Sequence, residues 1–245
     1  MNIMADSIVL IPTYNEKDNI EKIVRKVFSL PRIFHILVID DGSPDGTATI
    51  VRRLMDEFEG LLFLEERKGK LGLGTAYIHG FQWALQRNYE YIIEMDADFS
   101  HNPDYLSDLV EACERGADVA IGSRYINGVN VVNWPMKRML MSYFASVYVR
   151  FITRIKVMDA TAGFVCYKRI VLETILRDKI KFVGYAFQIE MKFKAIKYGF
   201  QVVEIPIIFV DRTAGESKMS PKIFKEAFFG VIYMKVKSWF KNYKV

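Results

Sequence analysis

Five short apolar runs constrain this 245-residue chain more than any other feature. They are Ser7–Ile11, Ile36–Ile39, Leu61–Leu64, Tyr91–Met95 and Asp118–Gly122, and segments of helical periodicity separate them. Ile20, Ile23, Val24 and Val27 recur at helical spacing within Lys17–Phe28. Thr47–Phe58, Gly74–Gln86 and the stretch from about Pro103 to Arg115 read as further helices. Strands alternating with helices require right-handed crossovers and a mainly parallel sheet, so the expected class is α/β with helices flanking the sheet. Such sheets bind ligands beyond the carboxyl ends of their strands.

Polar clusters follow the first, second, fourth and fifth runs: Thr13–Glu16, Asp40–Asp45, Asp96–Asp98 and Ser123-Arg124. They are expected to converge on one crevice. Asp96-Ala97-Asp98-Phe99 places two carboxylates two residues apart at a strand end. Hard cations such as Mg²⁺ and Mn²⁺ take carboxylate oxygens, and Mg²⁺ usually shares its shell with a substrate diphosphate. The tetrad therefore points to nucleotide-diphosphate chemistry; a helix cap or solvated turn is the competing reading. In Pro12-Thr13-Tyr14-Asn15-Glu16, Pro12 is expected to end strand pairing. Tyr14 suits stacking on a base and Glu16 suits a base edge or ribose, while an Asn-started helix cap uses the same residues. Asp40-Asp41-Gly42-Ser43-Pro44-Asp45-Gly46-Thr47 makes a tight turn with one carboxylate left for ribose or base.

Arg67 to Thr75 carries glycines in the order G-x-x-G-x-G at a helix start, which favours anions but matches neither a dinucleotide fingerprint nor a P-loop. Ser123-Arg124-Tyr125 and Arg138 supply cations near the same crevice. Asp211 to Lys218 reads as a polar lid around Gly215, in which Arg212 could grip a diphosphate bidentately and Lys218 act as a point charge. A solvated loop is the alternative there.

With 51% hydrophobic side chains, the chain is expected to form one large domain or a domain with an appendage. The net charge of +5 is uneven: residues 218–245 hold seven lysines and one acid, a net +6, leaving −1 for the rest. The expected division is a catalytic body over 1–217 and a basic amphipathic helix over 218–245. Met139–Val149 has no charged residue between Arg138 and Arg150, and Ile223–Trp239 mixes aromatics with lysines. Neither run reaches the roughly 18–20 apolar residues of a membrane span. Both, including a helix at about 134–153, suit the membrane interface, with ordinary packing on the sheet as the competing reading. No basic start and apolar stretch suggests a signal peptide. Cys113 and Cys166 show neither zinc spacing nor a disulfide framework, so a reducing, intracellular setting is expected.

Taken in order, Pro12–Glu16, Asp40–Ser43, Asp96–Asp98, Gly122–Tyr125, Gly184-Tyr185-Ala186-Phe187-Gln188-Ile189-Glu190 and Val210 to Lys218 resemble the dolichyl-phosphate mannosyltransferases. These are family-2 glycosyltransferases with the Rossmann-like GT-A fold. The resemblance spans about residues 7–235. The first three motifs are general to family 2; the last two, with Asp96 to His101, are specific to polyprenyl-phosphate sugar transfer. The resemblance implies a GDP-mannose donor, a polyprenyl (dolichyl) phosphate acceptor and Mg²⁺ or Mn²⁺. It implies that Pro12, Tyr14, Glu16, Ile39 and Asp41 hold the nucleoside, while Asp96, Ala97 and Asp98 face the sugar diphosphate. Asp98 would be the direct metal ligand with Asp96 beside it. Ser100 stands where some relatives carry a metal-binding Gln, and it is a shorter, weaker ligand. Arg124, Arg212 and Lys218 would hold phosphates and Arg138 the acceptor phosphate.

Some relatives append transmembrane segments that this chain does not show, so attachment at the cytoplasmic face of a membrane would rest on interfacial helices or a membrane partner protein. The same fold with UDP-glucose is one alternative, and a non-catalytic nucleotide- or lipid-surface-binding protein is another. A nucleic-acid binder using the lysine tail would show salt-sensitive binding, but nucleic acid is not an expected partner.

Overall fold

A computed structural model describes residues 5–211 and 221–243. Seven strands form the central sheet: β1 (Ser7–Thr13), β2 (His35–Asp40), β3 (Leu62–Glu66), β4 (Tyr91–Glu94), β5 (Val119–Ser123), β7 (Val165–Lys168) and β8 (Val202–Pro206). Their order is β3-β2-β1-β4-β7-β5-β8. β6 (Val131–Val132) and β9 (Phe209–Val210) pair as a separate parallel ribbon. The helices are α1 (Ile20–Phe28), α2 (Thr47–Glu57), α3 (Leu73–Gln86), α4 (Leu106–Glu114), α5 (Met136–Thr153), α6 (Arg169–Ile175), α7 (Tyr185–Lys197) and α8 (Pro221–Phe240).

The sheet is buried on both faces, which is why its strands read as nearly continuous apolar runs. Val9, Ile11, Ile36 and Val38 point to one core, shared with Ile23 and Val27 of α1 and Leu109 of α4. Ile8, Leu10, Leu37 and Ile39 point to the other, shared with Tyr77 and Phe81 of α3 and Phe187 of α7. Val231 and Met234 of α8 join this second core, so the C-terminal helix is packed against the body on one side.

One expectation is corrected. Pro12 does not end the pairing of β1, whose register with β2 continues through Pro12↔Ile39 and Thr13↔Asp40. On the other edge the ladder with β4 stops at Leu10↔Glu94. Leu10 accepts from Met95 N–H on the β4 side, so Pro12, two residues on, turns its missing donor to that side, just beyond the last paired residue. A proline is tolerated in a strand where no ladder bond is required of it. The sheet is mainly parallel, as expected, with one strand that was not anticipated: β7 runs antiparallel between β4 and β5. Val165-Cys166-Tyr167-Lys168 is too short and too uniformly apolar to announce a strand by periodicity. Cys166 on it is a free thiol, as is Cys113 of α4, with their Sγ atoms 3.8 Å apart.

The residues just before β7 and just after β8 impose a packing constraint beside the site. A Cβ built on Gly122 of β5 would lie 2.9 Å from Phe164 Cδ1 and 3.2 Å from Ile207 Cδ1. Gly122→Ala is therefore expected to lower stability by about 1–3 kcal/mol through overpacking. A urea titration should show a lower midpoint at unchanged m value; an unchanged midpoint would mean that the ring yields.

Candidate active site

The strand order reverses direction at β1, which lies between β2 and β4, and the crevice of such a sheet opens at the carboxyl ends there. The four sequence clusters all follow strands whose carboxyl ends lie on that side. The Asp40-Asp41 pair divides its work. Asp40, buried, accepts from Thr13 Oγ1 at 2.9 Å, Ser43 N–H at 2.8 Å and Ser43 Oγ at 2.6 Å, and so builds the turn. Asp41 faces the other way and accepts from Arg67 Nε at 2.6 Å. Arg67 in turn donates through Nη1 to Thr75 Oγ1 of α3 at 3.0 Å. Gly42, at φ +71°, lies where a Cβ would come within 3.3 Å of the Arg67 carbonyl oxygen, so the turn and the glycine-rich segment are packed as one unit.

The β1 loop is tied to the same unit. Asn15 N–H donates to Ser43 Oγ at 2.9 Å and Glu16 N–H to Thr47 Oγ1 at 3.0 Å. Asp45 accepts from Thr47 N–H and from Lys17 N–H. Tyr14 is half-buried, with Lys70 Nζ 5.0 Å from its ring centroid. Ile39 is fully buried beneath Gly80, so it can meet a nucleoside only through its main chain.

Beyond β4 the chain makes a constrained turn. Asp98 Oδ1 accepts from Ser100 N–H at 3.0 Å, and Phe99 between them adopts a left-handed φ of 61°. Such backbone strain persists where surrounding structure over-determines it, often at functional sites. Ala97, Asp98 and Ser100 are buried, while the Asp96 side chain remains 39% exposed. His101 buttresses the turn: its Nδ1 accepts from Asp96 N–H at 3.3 Å, and its ring stacks on Phe164 at 5.0 Å. Burial depresses the His101 pKa to about 4, with Arg124 adding to the effect and Asp98 opposing it. His101 is thus a neutral acceptor at neutral pH.

Arg124, at the end of β5, is held by a residue that the sequence reading missed. Its Nε and Nη2 donate to the two oxygens of Asp159 at 2.7 Å each, and its own N–H donates to Asp159 at 3.0 Å. Burial alone would raise the Asp159 pKa; the Arg124 charge and hydrogen bonds override it and keep the carboxylate ionised. Trp134 and Phe209 flank the guanidinium at 5.5 and 5.4 Å. Arg138 stacks over Trp134 at 4.4 Å and donates to Asp211 at 2.7 Å. Phe209 touches both His101 and Trp134, so the acid turn and the two arginines form one connected wall. Arg212 and Lys218, expected on the lid, lie outside the described residues.

Beneath the acid turn lies a buried polar relay. Gln188 Nε2 donates to Glu94 Oε2 at 2.7 Å, and Lys192 Nζ donates to Ala162 O at 2.6 Å and Gln188 Oε1 at 3.2 Å. Burial pushes Glu94 up and Lys192 down, each to about 8, and their mutual attraction opposes both shifts. Glu94 was legible in principle, since an acid inside the apolar run Tyr91–Met95 signals a partnered buried charge. Glu190 accepts from Lys181 N–H and Phe182 N–H and pairs with Lys194, which gives it a loop-holding role.

The mainly parallel sheet carries an acid pair at its switch point and a clamped guanidinium nearby, and solved structures of similar shape are GT-A glycosyltransferases. The chain belongs to glycosyl transferase family 2, whose profile matches residues 8–176. It is 46% identical to a polyprenol monophosphomannose synthase of Mycolicibacterium smegmatis, covering 92% of this chain and 85% of that one. It is 42% identical to an undecaprenyl-phosphate mannosyltransferase of Micrococcus luteus, covering 90% of each. Glucosyl-3-phosphoglycerate synthase of Mycobacterium tuberculosis, in complex with Mn²⁺, UDP and its product, superposes with a TM-score of 0.66 at 15% identity, over 95% of this chain and 79% of that one. A mannosyltransferase of Pyrobaculum calidifontis with GDP-Man and Mn²⁺ gives 0.58 at 17% identity, over 97% and 72%.

His101 makes stability depend on pH. Its folded-state pKa of about 4 lies below the ~6.5 of an unfolded chain. Between those values the unfolded chain binds a proton that the folded protein refuses. Its contribution is therefore whole above about pH 6.5 and falls, by up to about 3 kcal/mol, as the pH drops towards 4. In denaturation series across this range His101→Asn, which keeps an acceptor for Asp96 N–H, should flatten the slope. An equally steep variant would reject the assignment.

Proposed function

We propose that this chain transfers mannose from GDP-mannose to a polyprenyl phosphate, inverting the anomeric centre to give a β-linked lipid phosphate sugar. The observation that carries the reading is the acid turn: two carboxylates held by a strained backbone at the mouth of a nucleotide-type crevice. Both sequence relatives named above concern mannose and a polyprenyl phosphate, which supports the choice of sugar and acceptor. The P. calidifontis structure, with GDP-Man, supports the donor.

Asp98 and Asp96 offer an oxygen-only donor set, which fits Mg²⁺ or Mn²⁺. Among the described residues no group of three or more His, Cys, Asp or Glu could hold a metal alone, so diphosphate oxygens would complete the shell, with Ser100 or water as the weakest contributor. When bound, the ion would neutralise charge on the departing diphosphate. The chain's own residues do the rest by positioning. The tied Tyr14, Glu16 and Asp41 unit receives the nucleoside, and Arg67 fixes the Asp41 carboxylate. Arg124, braced by Asp159, and Arg138 present cationic edges to phosphates, with Arg212 and Lys218 closing on the diphosphate. The nucleophile is a lipid phosphate oxygen; with a second pKa near ~6 it is largely ionised at neutral pH and requires no strong base. The occupied Glu190 and the neutral His101 accord with that.

The acceptor's chemistry requires access to a membrane surface. Phe144 and Phe151 of α5 are 60% and 64% exposed, and Trp239 and Phe240 of α8 are 67% and 85% exposed. The two helices pack together through Tyr148, which stacks on Phe228 at 4.8 Å. Among the described residues no helix is long and apolar enough to cross a membrane. These faces suit peripheral attachment at the cytoplasmic side of a bilayer.

Labelled sugar transfer into lipid extract tests the reading, with polyprenyl phosphate, Mg²⁺, and GDP-mannose or UDP-glucose as donor. Transfer from GDP-mannose alone, lost on adding EDTA, is expected; transfer from UDP-glucose alone would move the enzyme to glucose. Asp98→Asn should lower the rate by at least about 10²-fold with unchanged circular dichroism. An active variant would remove Asp98 from the metal.

A further inference from the structure

A half-open cavity of about 90 Å³ lies between α7, α8 and the segment at 178–181, and none of its lining residues belongs to the acid turn or the arginine wall. Among the described residues, Lys179, Lys181, Lys194, Lys237 and Lys241 line it against two acids, Asp178 and Glu190. Both acids are already engaged: Lys241 bonds Asp178, and Lys194 bonds Glu190 at 3.0 Å. Among the described residues Lys179, Lys181 and Lys237 have no carboxylate within ion-pair distance. Lys181 Nζ instead sits 3.3 Å from the ring centroid of Tyr233, with Lys237 Nζ at 5.8 Å from the same ring. Burial lowers the Lys194 pKa, and Lys237 nearby lowers it further against the pull of Glu190. Among the described residues the cavity thus concentrates more lysines than its two acids pair.

We infer that this cavity binds the phosphate of an anionic phospholipid headgroup, at a site separate from the active site. The volume of about 90 Å³ admits a small headgroup anion but falls well short of the roughly 300 Å³ or more of a cofactor-sized pocket. Its place on α8 points to a lipid. Tyr233 and Lys237, four residues apart, form one stripe along the helix, and Lys241 follows just beyond its last residue. Phe229, Ile232, Val236 and Phe240, all exposed, form the neighbouring stripe. A helix lying in the bilayer interface by its apolar stripe carries the flanking lysines at phosphate depth, their stems against apolar surface and their ammonium groups outward. The cavity is the point on that flank where lysines from α7 and the 178–181 segment meet those of α8.

This inference rests on the membrane-surface reading of α5 and α8, and vesicle flotation of the full chain tests it apart from catalysis. Vesicles of phosphatidylcholine, with and without phosphatidylglycerol, are compared at one ionic strength. The wild type is expected to bind the anionic vesicles more strongly. The triple variant Lys179→Ala, Lys181→Ala, Lys237→Ala should lose about tenfold or more of that binding. A charge-matched control, Lys22→Ala, Arg53→Ala, Arg115→Ala, should keep it. Equal binding of the wild type to both vesicles, full binding by the triple variant, or an equal loss in the control would each overturn the site. Should the triple variant misfold, Lys237→Glu alone, on exposed α8, must weaken anionic binding. Transfer in detergent with a short-chain polyprenyl phosphate should be unchanged in the triple variant. Absence of transfer in the wild type would sink the proposed function while leaving the vesicle result standing.

Discussion

A buried ion pair destabilises a protein unless its hydrogen bonds are complete, and the second half of this chain is arranged to complete one. Asp159 is fully buried and receives three donors from Arg124. The segment that carries it is fixed from two other directions. Glu204 of β8 accepts from Met158 N–H at 2.7 Å and Asp159 N–H at 2.9 Å, and Lys192 of α7 donates to Ala162 O at 2.6 Å. The chain emerging from these anchors enters β7, which is why that strand can run against its neighbours in the middle of an otherwise parallel sheet. Arg124 is oriented by the same anchors, and through Phe209 so is the wall that reaches the acid turn.

The first half of the fold was legible because each parallel strand is a short apolar run closed by turn residues, and each helix shows its buried stripe. The acid turn was legible for the same reason, since its carboxylates stand at a strand end. The partners were not. Arg67 lies 26 residues from Asp41, and Asp159 lies 35 from Arg124, and no local pattern encodes such pairings. Local pattern alone did not separate Asp40 from Asp41; only the family resemblance singled out Asp41. Adjacent residues on a strand point to opposite sides, so one acid builds the turn and the other faces Arg67, but only the register decides which does which.

The amphipathic segments were legible as helices, but not in how much of each would be covered. α8 gives Val231 and Met234 to the core while leaving Phe229, Trp239 and Phe240 outside. A helix with apolar residues around most of its circumference has more apolar surface than one neighbour can bury. Packing against α5 and α7 uses one side, and what remains is a large exposed apolar patch of the kind that marks an interaction surface.

The constraint that ties surface to chemistry is rigidity. A lipid acceptor arrives from a two-dimensional surface, with its phosphate at the depth that the headgroups set. On the proposed function, little of the site can then adjust to the substrate, and the groups proposed to receive phosphate must already be in place. The structure meets this demand with buried, satisfied contacts: Asp41 fixed by Arg67, Arg124 by Asp159, and the Asp96 turn by the His101 acceptor. Each brace removes rotamers that binding would otherwise have to freeze. Phe99 shows the limit of that strategy, since its left-handed backbone is tolerated so that Asp98 can fold back onto Ser100 N–H. A relaxed turn would leave that carboxylate freer to move, and a carboxylate that moves is a poor template for in-line displacement, where a misplacement of about 1 Å can cost about 10²-fold in rate.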